Sequence, residues 1–259
     1  MSSLFFILAT LFWISPQADA QNVFCKTTPV RLVTTGYPPY QSENANDGGV
    51  VNKLVETALL AEGCKVEFVS LPWQRGFLET QNGQYDAILG IWHSPERERY
   101  FLYSVPLTQN QLAVIKRKGS KFVFDRKTVS QYTMGLVQNY AYPDTITRLP
   151  VLRIEYAPDD RLGLLMVSGG RVDFGVLDKA VVLYLLSGDL KSIHDKVEVG
   201  EVIAKAPLYL GISLRKDTAR ILAERLKSGL RKIEKNGDIK KVREFAKKNS
   251  VEILPSPKE

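Results

Sequence analysis

The order of apolar segments along the chain predicts an α/β fold with parallel strands. Short β-branched runs alternate with segments whose apolar residues recur at helical spacing, as in βαβ units. Glycines follow several of the helical segments, where helices commonly end. The chain has 259 residues, 44% of them hydrophobic and 24% charged. This is ordinary globular composition, with room for one large or two small domains.

The N-terminal part of the chain supplies the first set of alternating elements. Four segments have the composition of strands: 30–34, 66–69, 86–90 and 112–115. Two segments have apolar residues at helical spacing and a glycine shortly after them: 50–59 and 76–81. These elements predict the first α/β block.

The C-terminal part repeats the alternation and ends in helices. Strands are predicted at 134–137, 151–156 and 172–177. Helices are predicted up to Met166, over 179–186 and over 218–249, the last broken at Asn236-Gly237. Asp159 or Asp160 can cap the first of these helices, because a short carboxylate accepts from free N–H groups at a helix start.

The first twenty residues have the pattern of a cleaved signal peptide. Residues 4–14 are an unbroken apolar run, which is too short to span a bilayer but has the length of a signal-peptide core. Ala18 and Ala20 stand where a signal peptidase reads small residues, so cleavage is expected before Gln21. The alternative is a buried N-terminal strand or helix. No later apolar run is long enough to span a membrane, and the mature chain is expected to be soluble.

Cys25 and Cys64 are the only cysteines. Each precedes a predicted strand, so parallel pairing of those strands would bring both to the same end of the sheet, where a disulfide is reasonable. Two free thiols are the alternative. A pair is too few for a disulfide-dense scaffold or a four-thiolate zinc site.

Sequence patterns of the common enzyme and nucleic-acid classes are missing. The chain has neither a phosphate-binding glycine loop nor a Gly-x-Ser-x-Gly elbow. His93 and His194 lack partners at metal-ligand spacing, so neither a metal nor a cofactor is expected. The net charge is +7, and the basic C-terminal tail is interspersed with acids, as on a solvated helix face. No nucleic-acid partner is expected.

Several short motifs, in order, resemble the bacterial extracellular solute-binding proteins of family 3. The resemblance spans about residues 30–249, and each motif alone is weak. The motifs are Gly36-Tyr37-Pro38-Pro39-Tyr40, Asn82-Gly83-Gln84-Tyr85-Asp86-Ala87-Ile88, Ser94-Pro95-Glu96-Arg97, Tyr103-Ser104-Val105-Pro106, Gly170-Arg171-Val172-Asp173, Pro207-Leu208-Tyr209 and Asn236-Gly237-Asp238.

The resemblance implies a two-lobed periplasmic-binding-protein fold of type II, with two α/β lobes joined by two crossover segments. Lobe 1 would comprise 21–112 and 208–259, and lobe 2 would comprise 113–207. A small-molecule ligand would bind in the cleft, and the lobes would close over it by hinge motion. The protein is expected to be a periplasmic monomer.

Two charged residues match the positions with which this family holds an amino acid. Arg97 matches the arginine that pairs with the ligand carboxylate, and a surface arginine is the alternative. Asp178 ends a predicted strand and matches the acid that pairs with the ligand's α-amino group. Its alternative role is to cap the following helix, and the two roles are compatible.

Aromatic residues match the positions that sandwich a ligand in this family. Tyr40 and Trp73 are these positions, with core packing as the alternative, more so for Tyr37 than for Tyr40. Arg75 resembles a Trp-x-Arg variant of the family and would be a second anion-binding group. An exposed arginine at a helix start is the alternative for Arg75.

The chain departs from the family at two places. Trp92 stands where the family usually has a Ser or Thr that contacts the ligand, and would fill that space or stack on a ligand. Gln138-Asn139-Tyr140-Ala141 replaces the anion-binding turn of lobe 2. Both departures favour a smaller or more aromatic pocket, or a carboxylate other than a free α-amino acid.

The resemblance implies a solute-binding protein that delivers a small polar or carboxylate-bearing solute to an ABC-type permease. One alternative keeps the fold and makes the protein a ligand sensor for a membrane receptor. A second alternative is a dehydratase-like enzyme, for which Asp178, Glu96 and His93 are the candidate acids or bases. That enzyme reading rests on fold analogy alone.

Overall fold

The computed structural model describes residues 24–25, 28–42 and 48–256. The predicted signal peptide, residues 1–20, lies outside these residues. Within the described part of the chain, none of the helices has the length and apolarity that crossing a membrane requires.

The described residues form strands and helices in alternation. The strands are β1 (Val30–Thr34), β2 (Val66–Ser70), β3 (Ala87–Trp92), β4 (Phe101–Tyr103), β5 (Thr108–Arg117), β6 (Thr133–Val137), β7 (Arg153–Ala157), β8 (Phe174–Asp178), β9 (Val197–Ser213) and β10 (Glu252–Ile253). The helices are α1 (Val50–Ala61), α2 (Trp73–Gln81), α3 (Asp144–Thr147), α4 (Asp160–Ser168), α5 (Lys179–Ser187), α6 (Ala219–Asn236) and α7 (Ile239–Lys248).

The sheet contains two sets of parallel strands joined by two long antiparallel strands. Its order is β2-β1-β3-β9-β5-β8-β6-β7. We call β1–β3 with α1 and α2 the first half, and β6–β8 with α4 and α5 the second half. Strands within each half are parallel, as the βαβ alternation predicts. One cluster of buried apolar side chains runs through both halves.

The 17-residue strand β9 was not predicted from the sequence. Pro207 within it lacks an N–H group and normally argues against a strand interior. Here Pro207 lies opposite Gln109 of β5, and the ladder between the two strands is irregular near Leu112 and Ala113. Strands β5 and β9 carry the chain from the first half to the second and back.

Helix α6 covers the first half and packs closely on α1. Its predicted apolar stripe, which includes Leu222, Leu226 and Ile233, is buried. Gly229 faces the backbone of α1, where a Cβ atom would lie 2.0 Å from the carbonyl oxygen of Ala58. The backbones of α6 and α1 lie too close together at this point to leave room for a Cβ atom, and Gly229 fits because it has no side chain.

The disulfide lies at the start of the first half. Strands β1 and β2 are parallel neighbours, with Val30 opposite Val66. Cys25 and Cys64 precede them at the same end of the sheet, and a disulfide joins the two residues with their Cα atoms 4.7 Å apart. The bond ties the chain ahead of β1 to the turn that follows α1.

Candidate functional site

A cavity of about 370 Å³ lies at the carboxyl ends of the parallel strands. In open α/β sheets this edge is where ligands bind, because loops diverge there and leave a crevice. Segments from both halves line the cavity: residues 35–37, 72–74, 137–141 and 158–160, with Gln41, Gly90, Trp92 and Arg97. A second, larger cavity of about 870 Å³ shares Trp73, Trp92 and Arg97 with it.

Arg97 lies on the border between the two cavities. It begins a single 3₁₀ turn, and its backbone N–H lies 3.4 Å from the hydroxyl of Ser94. Its guanidinium donates to the carbonyl oxygens of Trp92 and Asn139, each at 2.9 Å. The guanidinium carbon lies 5.6 Å from the ring centre of Trp73, a cation–π distance. Burial lowers the pKa of this guanidinium.

The charge of Arg97 has no carboxylate partner among the described residues. Its contacts with two carbonyl oxygens and an aromatic ring orient the fork without neutralising it. A half-buried guanidinium of this kind favours an anion, and a carboxylate can accept two parallel hydrogen bonds from it. The arrangement can therefore bind a small carboxylate in the cavity.

Aromatic rings bridge the two halves beside Arg97. The ring of Trp92 contacts Tyr140 and Tyr142 edge-on, with ring centres 4.8 and 5.6 Å apart. Tyr37 meets Tyr140 in the same way at 5.9 Å. Burial raises the pKa of Tyr37, Tyr140 and Tyr142 well above the usual range, so these hydroxyls stay neutral. Tyr37, Trp92 and Tyr140 give the smaller cavity an aromatic side.

The structure brings three of the six predicted ligand-binding residues to the cavities. Trp73, Trp92 and Arg97 line both. Trp92 packs against two aromatic residues of the second half, Tyr140 and Tyr142. The predicted turn 138–141 of the second half also lines both cavities, except for Gln138, which lines only the smaller one.

Tyr40 does not line either cavity. It is 1% exposed, and its hydroxyl donates to the carboxylate of Asp178 at 3.1 Å. Tyr37 stacks on it, with ring centres 5.2 Å apart, and of these two tyrosines it is Tyr37 that lines the smaller cavity. The core position expected for Tyr37 is thus occupied by Tyr40.

Arg75 also lies outside the two cavities. It is in the first turn of α2, and its guanidinium pairs with Glu79 one turn later at 2.7 Å. Its side chain is 64% exposed. This is the exposed helix-start arginine that the sequence left open as the alternative.

Asp178 is fully buried at the end of β8 and is not among the cavity-lining residues. It caps α5, because its carboxylate accepts from the N–H groups of Ala180 and Val181 at 2.9 and 3.0 Å. Asn110 also donates to it at 2.8 Å. Burial raises the pKa of Asp178 to about 6. The capping role expected for Asp178 is present, and its contact with a ligand stays a prediction.

Sequence reasoning missed two buried polar residues of the cavity, Gln41 and Asp160. Asp159 caps α4 by accepting from the N–H of Leu162 at 2.7 Å, which leaves the Asp160 carboxyl free of that role. Two adjacent acids at a helix start were the available signal, because only one of them can be the cap.

Comparisons with known proteins agree with this architecture. The family model for bacterial extracellular solute-binding proteins, family 3, matches residues 30–245. No curated protein matches the chain. Among solved structures, a histidine kinase sensor domain with similarity to periplasmic binding proteins has a TM-score of 0.75 at 21% identity, covering 89% of this chain and 99% of its own.

Two further solved structures share the fold. The VFT2 domain of BvgS from Bordetella pertussis has a TM-score of 0.71 at 18% identity, covering 88% of this chain and 95% of its own. An ancestral arginine-binding protein bound to arginine has a TM-score of 0.67 at 20% identity, covering 83% of this chain and 96% of its own. The fold is thus that of the type II periplasmic binding proteins. The chain belongs to the bacterial extracellular solute-binding proteins, family 3.

Proposed function

We propose that this protein is a periplasmic binding protein that captures a small carboxylate-bearing, amino-acid-like solute for an ABC-type permease. In this proposal, lobe 1 comprises 21–112 and 208–259, lobe 2 comprises 113–207, and the strands β5 and β9 connect them. The ligand binds between the lobes, and hinge motion about the connecting strands admits and encloses it. The protein acts as a monomer and without catalysis.

The unneutralised guanidinium of Arg97 is the observation that carries the proposal. It lies in the first cavity, its donors are oriented by two backbone carbonyls, and no carboxylate of the described residues pairs with it. Partial burial strengthens its attraction for an anion, because the surrounding dielectric constant is lower than that of water. The cavity volume of about 370 Å³ suits a small solute.

Thermal unfolding against a panel of amino acids, dicarboxylates, aromatic acids and polyamines tests the proposal. A ligand that binds only the folded state stabilises it by about 2.7 kcal/mol at a hundredfold excess over Kd. We expect Arg97→Ala to abolish the shift and Arg97→Lys to weaken it, because lysine lacks the planar fork. Arg99→Ala is the matched control, since Arg99 is exposed in the same turn. Loss of the shift in both alanine variants, or in neither, would contradict the proposal.

A ligand sensor for a membrane receptor is the second candidate. A histidine kinase sensor domain shares this fold at 21% identity, and it is the reason to consider this candidate. Uptake of the identified ligand separates the two functions. Loss of uptake in cells lacking the gene favours transport, whereas unchanged uptake together with a lost transcriptional response to the ligand favours sensing.

A further inference from the structure

Two residues that line the first cavity each carry a buried side-chain atom without a hydrogen-bond partner: Oδ1 of Asp160 and Nε2 of Gln41. Asp160 is 7% exposed and Gln41 is 1% exposed. Leaving such an atom unpaired destabilises the folded state, so buried polar groups in native proteins normally have a partner. The residues that line the cavity therefore carry one unused acceptor and one unused donor.

The carboxyl of Asp160 has two donors near it, the hydroxyl of Tyr140 and its own backbone N–H, and no cationic side chain pairs with it within the described residues. The hydroxyl of Tyr140 donates to Oδ2. The carboxylates of Asp178 at the end of β8 and of Asp159 beside it oppose its ionisation. The neutral hydroxyls of Tyr37, Tyr40 and Tyr142 also interact with it. No ion pair reaches Asp160 within the described residues. Burial raises its pKa to about 7.

Asp178, the residue that matches the family's amine-binding acid, has no comparable unpaired oxygen. Its two oxygens accept from the hydroxyl of Tyr40, the amide of Asn110 and the backbone N–H groups of Gln111, Ala180 and Val181. These donors occupy the lone-pair directions of a carboxylate. The ligand's positive group therefore has its free acceptor at Asp160.

We propose that Asp160 binds the ligand's cationic amino group while Arg97 binds its carboxylate, so that the cavity selects a zwitterion. Each charge of the ligand then meets a group of opposite sign, the half-buried guanidinium of Arg97 or the buried carboxyl of Asp160, in a charge-assisted hydrogen bond. Nε2 of Gln41 is the donor available to a further acceptor on the ligand. The assignment rests on the proposed function and adds the residue that recognises the amine.

Paired ligands that differ only in the amino group test this assignment. L-glutamate, L-glutamine and L-arginine are compared by calorimetry with their deamino analogues glutarate, glutaramate and 5-guanidinopentanoate. We expect the purified protein to prefer the amine-bearing member of a pair by about tenfold or more, the size expected for a hydrogen bond to a charged group. Asp160→Asn should remove that preference, and Asp195→Asn, at an exposed side chain outside both cavities, should keep it.

The acidity of Asp160 gives a second readout that needs no variant. The amine binds the ionised carboxylate, so the preference for the amine should increase as the pH rises from 5.5 to 8. A preference that is constant over this range overturns the assignment. So does a preference that survives Asp160→Asn.

The outcomes separate this assignment from the proposed function. If both members of a pair bind equally and Arg97→Ala abolishes both, Asp160 does not recognise the amine and the carboxylate-binding function stands. If no ligand of either kind binds the unaltered protein, both are overturned.

Discussion

Stability of the unliganded protein should decrease as the pH rises from 5 to 8, with Asp160 as a principal cause. Burial raises the pKa of this carboxyl in the folded state from 3.8 to about 7. The folded state then binds more protons than the unfolded chain between these two values. The stabilisation is complete below about pH 4 and is lost as the pH rises through about 7.

The magnitude follows from the two pKa values. With a folded-state pKa of about 7 and an unfolded-state pKa of 3.8, protonation of Asp160 contributes about 2–3 kcal/mol at pH 5 and close to zero at pH 8. Asp178 acts in the same direction, because burial raises its pKa to about 6. The difference in unfolding free energy between the unaltered protein and Asp160→Asn isolates the contribution of Asp160.

Urea unfolding at pH 5, 6, 7 and 8 measures this difference. Trp73 and Trp92 line the cavity and are the only tryptophans after the predicted signal peptide, so their fluorescence reports unfolding there. Asn resembles the protonated carboxyl, so we expect Asp160→Asn to fold. It should lose the part of the pH dependence of the unfolding free energy that Asp160 contributes. Asp195→Asn, at a side chain 91% exposed, is the control. Parallel pH profiles for Asp160→Asn and the unaltered protein would refute the reasoning.

Three further predictions concern the fold and the cavity. Removing the Cys25–Cys64 bond, which spans a sequence separation of 39, should lower the free energy of unfolding by about 3–4 kcal/mol, measured with urea under reducing and oxidising conditions. Gly229→Ala should destabilise by about 1–3 kcal/mol, because its Cβ would overlap the backbone of α1. Glu224→Ala, at an exposed position of the same helix as Gly229, is the control for that variant in the same assay. Trp92→Phe should reduce the fluorescence change on ligand binding, and an unchanged signal would show that ligand does not reach that ring.

Most of the fold was predictable from the sequence because its periodicity is local. The strands and helices of both halves follow the alternation of β-branched runs and helical stripes, and the stripe of α6 is buried as expected. Strand β9 was missed because its pairing with β5 and β3 depends on residues distant in sequence. Pro207 weakens the local preference for a strand, and pairing with β5 and β3 forms the strand in spite of it.

The site was predictable only in part, because neighbouring residues of the same type exchange roles. Tyr37 and Tyr40 lie three residues apart, and the fold turns the first to the cavity and the second to Asp178. Asp159 and Asp160 divide capping and cavity lining in the same way. Which member of such a pair faces the cavity depends on backbone direction at the ends of β1 and β7.

The position of β9 in the sheet sets an order for assembly. The outer edge of β3 is paired by β9, with Ala87 opposite Ile212, and the apolar face of α1 is covered by α6. Strand β9 and helix α6 both lie in the C-terminal part of the chain. Completing the first half therefore brings the two ends of the chain together, which requires a long loop to be ordered. A chain synthesised from its N-terminus therefore has β3 with an open edge and α1 uncovered until its last segment emerges. The second half, whose strands β6, β7 and β8 are close in sequence, can pair earlier.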